Sequence, residues 1–286
     1  MKRLDWRSLL LSRNTIGILL CVAVFLTGFT FYGDIGMYFN LAGLLIVLGG
    51  TLGATLISYS YETLAIVYKV LSMAYLTRIK KPEEIVEILV DLSVKSRFQG
   101  LLSLQEDEEE TSLLFLREAL GYLVDGYSSA QIRELLSSEM YFFKLRRHDC
   151  EQVLKAMADL FPAFGLAGSV VGLVGMLSGM GDTSVLLATV PVALTSTLYG
   201  VVLANFCMVP FAANIRARTE QELLLKKIIM EGVIAIASEM DPRVLEKKLK
   251  SFLTPSARRG RLVSLARIQA RFKIPAERSA TRQSAA

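Results

Sequence analysis

The sequence predicts an all-α integral membrane protein with four transmembrane helices in two hairpins. Hydrophobic residues make up 52% of the 286 residues and charged residues only 21%, with a mean hydropathy of +0.44. All 32 Lys and Arg lie in residues 1–13, 69–155 and 216–286, and none occurs in 14–68 or 156–215. Two long blocks without a basic residue are typical of membrane segments and not of a secreted, disordered or ordinary water-soluble chain.

Four runs in these blocks contain no charged residue and are long enough to cross a membrane. They cover residues 14–33, 35–61, 160–181 and 183–215, and a helix needs about 20 residues to span roughly 30 Å of hydrocarbon. Four such runs as buried helices of a soluble protein would be unusual. A cleaved signal peptide over the first run is also disfavoured, because a second apolar run follows immediately.

The basic residues orient the spans. Four bases precede the first run, and the turns around Asp34 and Asp182 contain none. The positive-inside rule therefore places both termini and residues 69–155 in the cytoplasm. The fourth run leads from Phe211 into a charged segment without a proline, which predicts one long helix that leaves the membrane. We expect a similar extension on the entry side of the third span, from Phe142 onwards.

This reading divides the chain into segments that alternate between cytoplasm and membrane. Two transmembrane hairpins enclose a helical cytoplasmic domain, and a helical extension follows the second hairpin. The predicted segments are a cytoplasmic N-terminus (1–13), transmembrane hairpin 1 (14–61), a cytoplasmic helical domain (62–155), transmembrane hairpin 2 (156–215), a cytoplasmic helical extension (216–255) and a basic, disordered tail (256–286).

The cytoplasmic segment carries helix signals. Pro82 followed by Glu83 and Glu84 marks a helix start, because proline and acids both favour the first turn. Apolar residues then recur at helical spacing, and residues 113–124 and 132–140 repeat this pattern. The acidic run 106–110 suits a solvated loop or helix start, with a docking surface for a basic partner as the alternative.

The basic tail suits disorder or a short amphipathic helix on anionic lipid. It holds eight bases and one acid but only one aromatic residue, Phe272. That composition without an accompanying binding fold disfavours nucleic-acid binding. The contact we expect for the tail is therefore the lipid bilayer.

Residues for catalysis are missing. The chain has no metal-ligand spacing, phosphate loop or Ser-His-Asp arrangement, and the only histidine is His148, so we predict neither an enzyme nor a bound cofactor. More informative is the absence of an Asp, Glu, Lys, Arg or His from the centre of every span. Ion-translocating proteins usually hold an ionisable group inside the membrane. Either the protein moves no ions, or another chain supplies the carboxylate.

The second hairpin does contain polar features. Proline inside a helix removes the hydrogen bond to the carbonyl four residues earlier, so Pro162 and Pro210 affect the carbonyls of Ala158 and Phe206. A packed kink is the structural alternative for each proline. Ser169 and Thr197 are placed to meet on facing helices, although hydroxyls in spans commonly bond their own backbone. Spaced glycines in the spans permit close helix packing.

Three motifs carry a family resemblance. Span three contains Pro162-Ala163-Phe164-Gly165, with Asp159 three residues before the proline. Span four matches the pattern Ala-Leu-x-small-Thr-Leu-x-Gly, with a proline ten residues after that glycine, through Ala193, Leu194, Ser196, Thr197, Leu198, Gly200 and Pro210. Residues 96–104 match Arg-x-x-Gly-Leu-Leu-x-Leu. Together with the span layout, these motifs resemble the MotA/PomA stator subunits of the bacterial flagellar motor.

The resemblance implies a stator function in the bacterial inner membrane. In this family, five chains surround two copies of a MotB-like partner, whose single span supplies an essential ion-binding Asp. The translocated ion, H⁺ or Na⁺, enters from the periplasm, neutralises that aspartate and is released to the cytoplasm. The pentamer turns around the partner dimer, and its cytoplasmic charges push on the rotor protein FliG.

The resemblance also implies roles for individual residues. Pro162 and Pro210 match the prolines that couple conformation to the partner's aspartate, with Asp159 nearby, and Thr197 matches the hydroxyl facing the ion path. Arg97 matches the rotor-facing base. Its usual acidic companion is replaced by Gln105, with Glu106 one residue further. Sodium stators tend to carry threonine at position 169 and proton stators alanine; the serine here leaves both ions open, with H⁺ slightly favoured.

Two other functions remain as alternatives. ExbB/TolQ-type energy-transducing subunits have three spans, with one ahead of the cytoplasmic region, whereas two apolar runs precede residue 69 here. A stand-alone ion channel or carrier would conduct ions as a purified chain in liposomes. The stator hypothesis predicts no flux without the partner.

Overall fold

The computed structural model describes residues 35–76, 79–111 and 113–255, together with residues 24, 27 and 28. Helices account for the regular structure of this part of the chain, which contains no strand. The predicted N-terminus, the tail 256–286 and, apart from residues 24, 27 and 28, the first span lie outside the described residues.

The described helices follow one another with short connections. A single turn of 3₁₀-helix, Ile35–Tyr38, precedes them, a second, Leu101–Leu104, follows α3, and a π-helix, Ala204–Met208, joins α7 to α8. The α-helices are α1 (Leu41–Ser58), α2 (Tyr61–Leu76), α3 (Pro82–Gln99), α4 (Gln105–Glu110), α5 (Leu114–Val124), α6 (Ser129–Ser178), α7 (Thr183–Leu203), α8 (Val209–Ala237) and α9 (Pro242–Lys250).

Three helical stretches are long and apolar enough to cross a membrane. They are α1, α6 and the continuous stretch Thr183–Ala237 formed by α7, the π-helix and α8. They cover most of the second and third predicted spans (35–61 and 160–181) and all of the fourth (183–215). The expected continuation of the third and fourth spans into charged segments is confirmed, since α6 begins 13 residues before Phe142 (142 − 129 = 13) and α8 ends at Ala237.

Local capping explains where two of these helices begin. The Asn40 side chain accepts a hydrogen bond from the Gly43 N–H at 2.9 Å and caps α1. Asp182 caps α7 in the same way through the Ser184 N–H at 2.8 Å, and Gly181 before it has a φ of 107°. Hydrogen bonds from the Ser184 hydroxyl and N–H hold the pKa of the Asp182 carboxyl below its usual range. The hairpin turn is thus built from cap residues and a glycine.

The chain forms two compact units. Of the described residues, the first unit comprises those up to residue 76 and 147–216, and the second comprises those in 79–146 and 217–255. In the first unit, Val67 of α2 packs in one cluster with Cys150 and Val153 of α6 and with Ile215 of α8. Val67, Cys150 and Val153, which we assigned to the cytoplasmic segment, therefore pack with Ile215 at the end of the fourth predicted span.

The second unit has its own hydrophobic core. As predicted, α3 begins at Pro82, and its apolar face contributes Ile85 and Leu89, which are 1% and 0% exposed. The core continues through α5, α9 and the second-unit part of α8. Gly232 lies against Leu89, because a Cβ there would be 2.7 Å from a Leu89 methyl carbon. The unit is a helical domain, as the spacing of its apolar residues indicates.

Buried ion pairs support this core. Glu231, only 9% exposed, accepts hydrogen bonds from Arg133 at 3.0 Å and Lys248 at 2.6 Å. Burial raises the pKa of the Glu231 carboxyl, but the bonds from Lys248 and Arg133 outweigh it, so the pKa lies below its usual range. The carboxylate therefore stays charged and ties α6 and α9 to α8.

The acidic run 106–110 is part of a short helix, α4. Asp107 binds the buried Lys95 side chain of α3 at 2.7 Å, while the Glu106 carboxylate is 3.7 Å from the same nitrogen and its side chain is 88% exposed. One acid of the run thus neutralises a buried lysine, which sequence reasoning did not identify. The run forms a helix that begins at Gln105, which agrees with the interpretation as a helix start; the docking surface for a basic partner stays a prediction.

Candidate functional site

The third and fourth spans are in backbone contact at glycines. A Cβ added to Gly200 of α7 would lie 2.5 Å from the Phe161 carbonyl oxygen, and one added to Gly172 of α6 would lie 2.6 Å from the Ala193 nitrogen. Only a residue without a side chain permits this approach. The predicted packing function of the spaced glycines is confirmed for this pair of helices.

Ser169 and Thr197 lie in hydrogen-bond contact across this hairpin. Their hydroxyl oxygens are 2.5 Å apart, and the Ser169 oxygen is also 2.5 Å from the Ala193 carbonyl oxygen and 3.2 Å from that of Gly165. Each hydroxyl has one proton to donate. If Ser169 donates to Ala193, Thr197 donates to Ser169 and its own lone pairs remain available to a further donor.

Pro162 lies inside α6, and the helix continues through it. Because proline has no N–H, the carbonyl of Ala158 lacks its usual partner four residues on, and Ala158 is 8% exposed. Phe164, two residues later, packs on Gly50 of α1. Asp159 is exposed on α6. The segment 158–164 therefore combines a missing backbone hydrogen bond with tight packing against the second span.

The π-helix Ala204–Met208 ends two residues before Pro210. A proline ring clashes with the carbonyl four residues earlier in a regular α-helix, and a wider π turn relieves this clash. The π turn was not predicted, although the proline inside a helical pattern is a signal for an irregularity of this kind. Pro210 thus lies beside irregular helix geometry, whereas the α-helix continues through Pro162.

Two further polar features were missed. The Tyr199 hydroxyl donates to the Tyr38 carbonyl and accepts from the Asn40 N–H, at 2.5 and 2.6 Å, and so fixes α7 to the start of α1. Pro191 is a third proline inside the second hairpin, and its carbonyl accepts a hydrogen bond from the Thr195 hydroxyl at 2.7 Å. In the sequence, the presence of a tyrosine and a proline within an apolar run was the signal that could have identified these two features.

In the spans that the structure describes, no Asp, Glu, Lys, Arg or His lies within the apolar windows between Leu41 and Ser58, Leu160 and Ser178, or Thr183 and Ile215. The polar atoms available to an ion there are hydroxyls and backbone carbonyls. These bind a proton or sodium ion weakly unless a carboxylate joins them. The site is thus suited to complement a charge and not to supply one.

The predicted rotor-facing base has a partner that sequence reasoning did not find. Arg97 near the end of α3 binds Asp241 at 2.9 Å, and the two side chains are 45% and 49% exposed. Glu106 instead lies nearer to Lys95, and Gln105 opens α4. Residues 97 and 241 are far apart in the sequence, so no local pattern could reveal this pair.

Comparison with known proteins decides the family. Residues 107–227 match the MotA/TolQ/ExbB proton channel family. The chemotaxis protein PomA of Vibrio alginolyticus is 32% identical over 226 residues, which cover 79% of this chain and 88% of PomA. Motility protein A of Treponema phagedenis is 33% identical over 244 residues, which cover 85% and 94%. The chain belongs to the MotA/PomA family.

The fold agrees with this assignment. The flagellar MotAB stator complex of Bacillus subtilis contains a chain that aligns with a TM-score of 0.79 at 26% identity, covering 85% of this chain and 96% of that one. The structure of C. jejuni MotAB aligns with the same TM-score at 24% identity. This MotA/PomA chain is thus a MotA-like stator subunit of the flagellar motor and a multi-pass membrane protein. Its family is one of channels and not an enzyme class.

Proposed function

We propose that this chain forms an ion channel with a MotB-like single-span partner and converts ion flow into torque on a FliG-like rotor protein. The observation that carries the proposal is the combination in the second hairpin. The same two helical stretches carry the Ser169–Thr197 hydroxyl pair and the prolines Pro162 and Pro210, while the described spans have no central carboxylate. The partner supplies the missing aspartate, and the translocated ion, H⁺ in preference to Na⁺, is the only species bound during the cycle.

The roles of the hairpin residues follow from their chemistry. Thr197, whose hydroxyl contacts that of Ser169, can reorient to donate to the partner's aspartate once that carboxylate is charged. Ser169 then keeps its bond to the Ala193 carbonyl. Pro162 and Pro210 each remove a helix hydrogen bond. The backbone beside them can therefore change conformation when the partner's aspartate is charged or neutralised. Asp159 lies one turn before Pro162, where a released cation leaves the path.

The assembly that we propose places five copies around two partner chains in the bacterial inner membrane. Both termini and the second unit face the cytoplasm, where the charged surface meets the rotor. The six sequence segments that we predicted remain part of this proposal, with the tail 256–286 on the cytoplasmic side next to lipid. Energy transduction of the ExbB/TolQ type is less favoured, because the relatives quoted above are motility and chemotaxis proteins.

Restored swimming is the direct test. Expression of this chain with its MotB-like partner in a strain that lacks both stator proteins should restore motility, and neither chain alone should do so. Purified chain in liposomes should show no ion flux until the partner is added. Flux from the chain alone would support a stand-alone channel and contradict the stator mechanism.

Replacing the sodium salt of the medium with a potassium salt tests which ion drives rotation. If H⁺ drives rotation, swimming speed should be unchanged when Na⁺ is replaced by K⁺ at constant pH and constant membrane potential. Dissipating the proton gradient with a protonophore should then stop rotation. A stop on Na⁺ removal alone would show that Ser169 and Thr197 serve a sodium path.

Reversing the charge of Arg97 tests its role in the rotor contact. We expect Arg97→Glu to reduce swimming speed several-fold. The change removes an exposed base and places a second carboxylate next to that of Asp241. The double variant Arg97→Asp with Asp241→Arg restores the internal ion pair without restoring the original charge at 97. Swimming should stay impaired in this variant if Arg97 contacts the rotor.

The outcome of the double variant separates two explanations. Full recovery of swimming would show that Arg97 acts through Asp241 in the fold of the second unit. An Arg97→Glu variant that swims normally would place the rotor contact elsewhere. Partial rescue of Arg97→Glu by a reversed charge on the rotor protein is the positive result, and membrane levels of each variant serve as the control.

A further inference from the structure

A cleft opens in the second unit where the C-terminal ends of two helices meet. It has a volume of about 330 Å³, at the small end of the range of roughly 300–1,000 Å³ typical of ligand sites. Ser96, Arg97 and Phe98 from the end of α3 line one side, and Ile236, Glu239 and Met240 from the end of α8 line the other. A space of this size suits a single long side chain.

Glu239 at this cleft has a strained backbone. Its φ is +52°, and it is the one residue other than glycine with a positive φ in the described part of the chain. The Met240 N–H donates to the Ala235 carbonyl at 3.0 Å and the Glu239 N–H to that of Ile236 at 2.9 Å, which is the Schellman arrangement that ends a helix. Glycine is preferred at the position of Glu239 in this arrangement, because a Cβ is unfavourable there.

Contacts of the Glu239 side chain within the described residues do not explain why this position holds glutamate instead of glycine. The side chain is exposed, and no hydrogen bond or ion pair joins its carboxylate to another described residue. Strained residues of this kind persist where something other than local stability requires the side chain, and they cluster at functional sites. A charged group is therefore held at the cleft at a cost to folding.

The electrostatics of the cleft favour a cation. Helices α3 and α8 both end beside it, and a helix C-terminus carries a partial negative charge of about half an elementary charge. Arg97 opposes this, but Asp241 binds it at 2.9 Å and cancels its charge at short range. The Glu239 carboxylate is then the excess charge. A Lys or Arg side chain that enters the cleft meets this carboxylate and the carbonyls of two helix ends.

We propose that the cleft receives a basic side chain of the rotor protein and that Glu239 is its acidic partner. The proposal rests on the stator function proposed above and names a contact for it. Arg97 and Glu239 line the same cleft, so one surface presents a base and an acid together. Gln105 has no charge, Glu106 lies beside Lys95 and Asp241 is already paired with Arg97. Of these residues and Glu239, only Glu239 offers a carboxylate without a basic partner among the described residues.

The test uses three substitutions of Glu239 in the full chain, expressed with its partner in a strain lacking both stator proteins. Glu239→Gln should reduce swimming speed several-fold and Glu239→Lys should abolish it. Glu239→Gly should raise the midpoint of thermal unfolding by about 2–4 °C, since glycine relieves the backbone, and should still impair swimming. A variant that is more stable and less active cannot be explained by misfolding.

Glu134 provides the matched control, since it is an exposed glutamate of the same unit on α6 and does not line the cleft. Glu134→Gln and Glu134→Lys should leave swimming unchanged. Replacing a lysine or arginine on the rotor protein's stator-facing surface with glutamate should restore swimming to Glu239→Lys. Swimming at the wild-type speed in all Glu239 variants would overturn the proposed contact while the stator function stands. If the wild-type chain itself fails to restore swimming, the proposed stator function is contradicted, and the proposed contact of Glu239 with the rotor protein is contradicted as well.

Discussion

Pro162→Leu and Pro210→Leu should each abolish swimming while the chain still inserts in the membrane. Leucine restores an N–H at position 162, which can bond the carbonyl of Ala158 and make α6 more rigid at this point. At position 210, loss of the proline removes the reason for the π-helix Ala204–Met208. A return from π to α geometry shifts the following segment by one residue, or about 100° around the helix axis.

That rotation has a specific consequence in the first unit. Ala212 and Ile215 of α8 are 3% and 0% exposed and pack against Cys150 and Val153 of α6. Turning α8 by about 100° moves both out of this cluster. We therefore expect Pro210→Leu to lower thermal stability as well as motility, and Pro162→Leu to lower motility with a smaller effect on stability.

Pro191 supplies the control for this experiment. It also lies inside a helix of the same hairpin, but it is not part of the resemblance to the family. Pro191→Leu should insert and support at least partial swimming. Membrane levels by immunoblot and swimming speed in soft agar and in liquid are the measurements. Normal motility of the Pro162 or Pro210 variant would contradict the coupling role, and equal loss in all three would point to general disturbance of the hairpin.

The contact of Ser169 with Thr197 illustrates what local sequence can predict. Ser169 lies 13 residues before Asp182 (182 − 169 = 13) and Thr197 lies 15 residues after it (197 − 182 = 15). In an antiparallel hairpin, residues at similar distances from the turn lie at the same level along the two helices, so the turn position predicts that these two hydroxyls are close in height. Helix starts such as Pro82 are predictable for a similar reason, because capping signals are local.

Other parts of the site depend on tertiary structure and were not predictable. The ion pair of Arg97 with Asp241 requires the ends of α3 and α8 to meet, and nothing near either residue encodes that meeting. The strain at Glu239 is visible only in the backbone angle, because glutamate in the sequence gives no sign of a left-handed conformation. Ala204, at the start of the π turn, packs in one cluster with Val47 and Phe161, and these tertiary contacts are not visible in the local sequence around Pro210.

Gly200→Ala is the smallest change that should disrupt the hairpin. Its new methyl carbon would lie 2.5 Å from the Phe161 carbonyl oxygen and 3.1 Å from the Cα atoms of Gly165 and Pro162. All three are backbone atoms, which cannot rotate out of the way as a side chain can. The two helices must separate, and overpacking of this kind costs about 1–3 kcal/mol.

Separation of the helices also reaches the ion path. Thr197 lies one turn before Gly200 on α7 and contacts Ser169 at 2.5 Å, a distance that cannot survive movement of α7 away from α6. We expect Gly200→Ala to lower the thermal midpoint of the purified chain and to reduce swimming at least tenfold. Thr197→Val, which removes the hydroxyl and keeps the shape, should reduce swimming without lowering the midpoint.

Gly49→Ala makes the same chemical change in α1 and should have the opposite effect on stability. A Cβ at Gly49 meets no atom of the described chain within 4 Å, and alanine stabilises a helix interior by about 0.5–1 kcal/mol relative to glycine. The thermal midpoint should therefore rise or stay constant in this variant and fall in Gly200→Ala. A Gly200→Ala chain that is as stable and motile as the wild type would show that the spans do not need this backbone contact. Because both substitutions add one methyl group to a glycine in a span, the difference between them isolates the contact of α7 with α6.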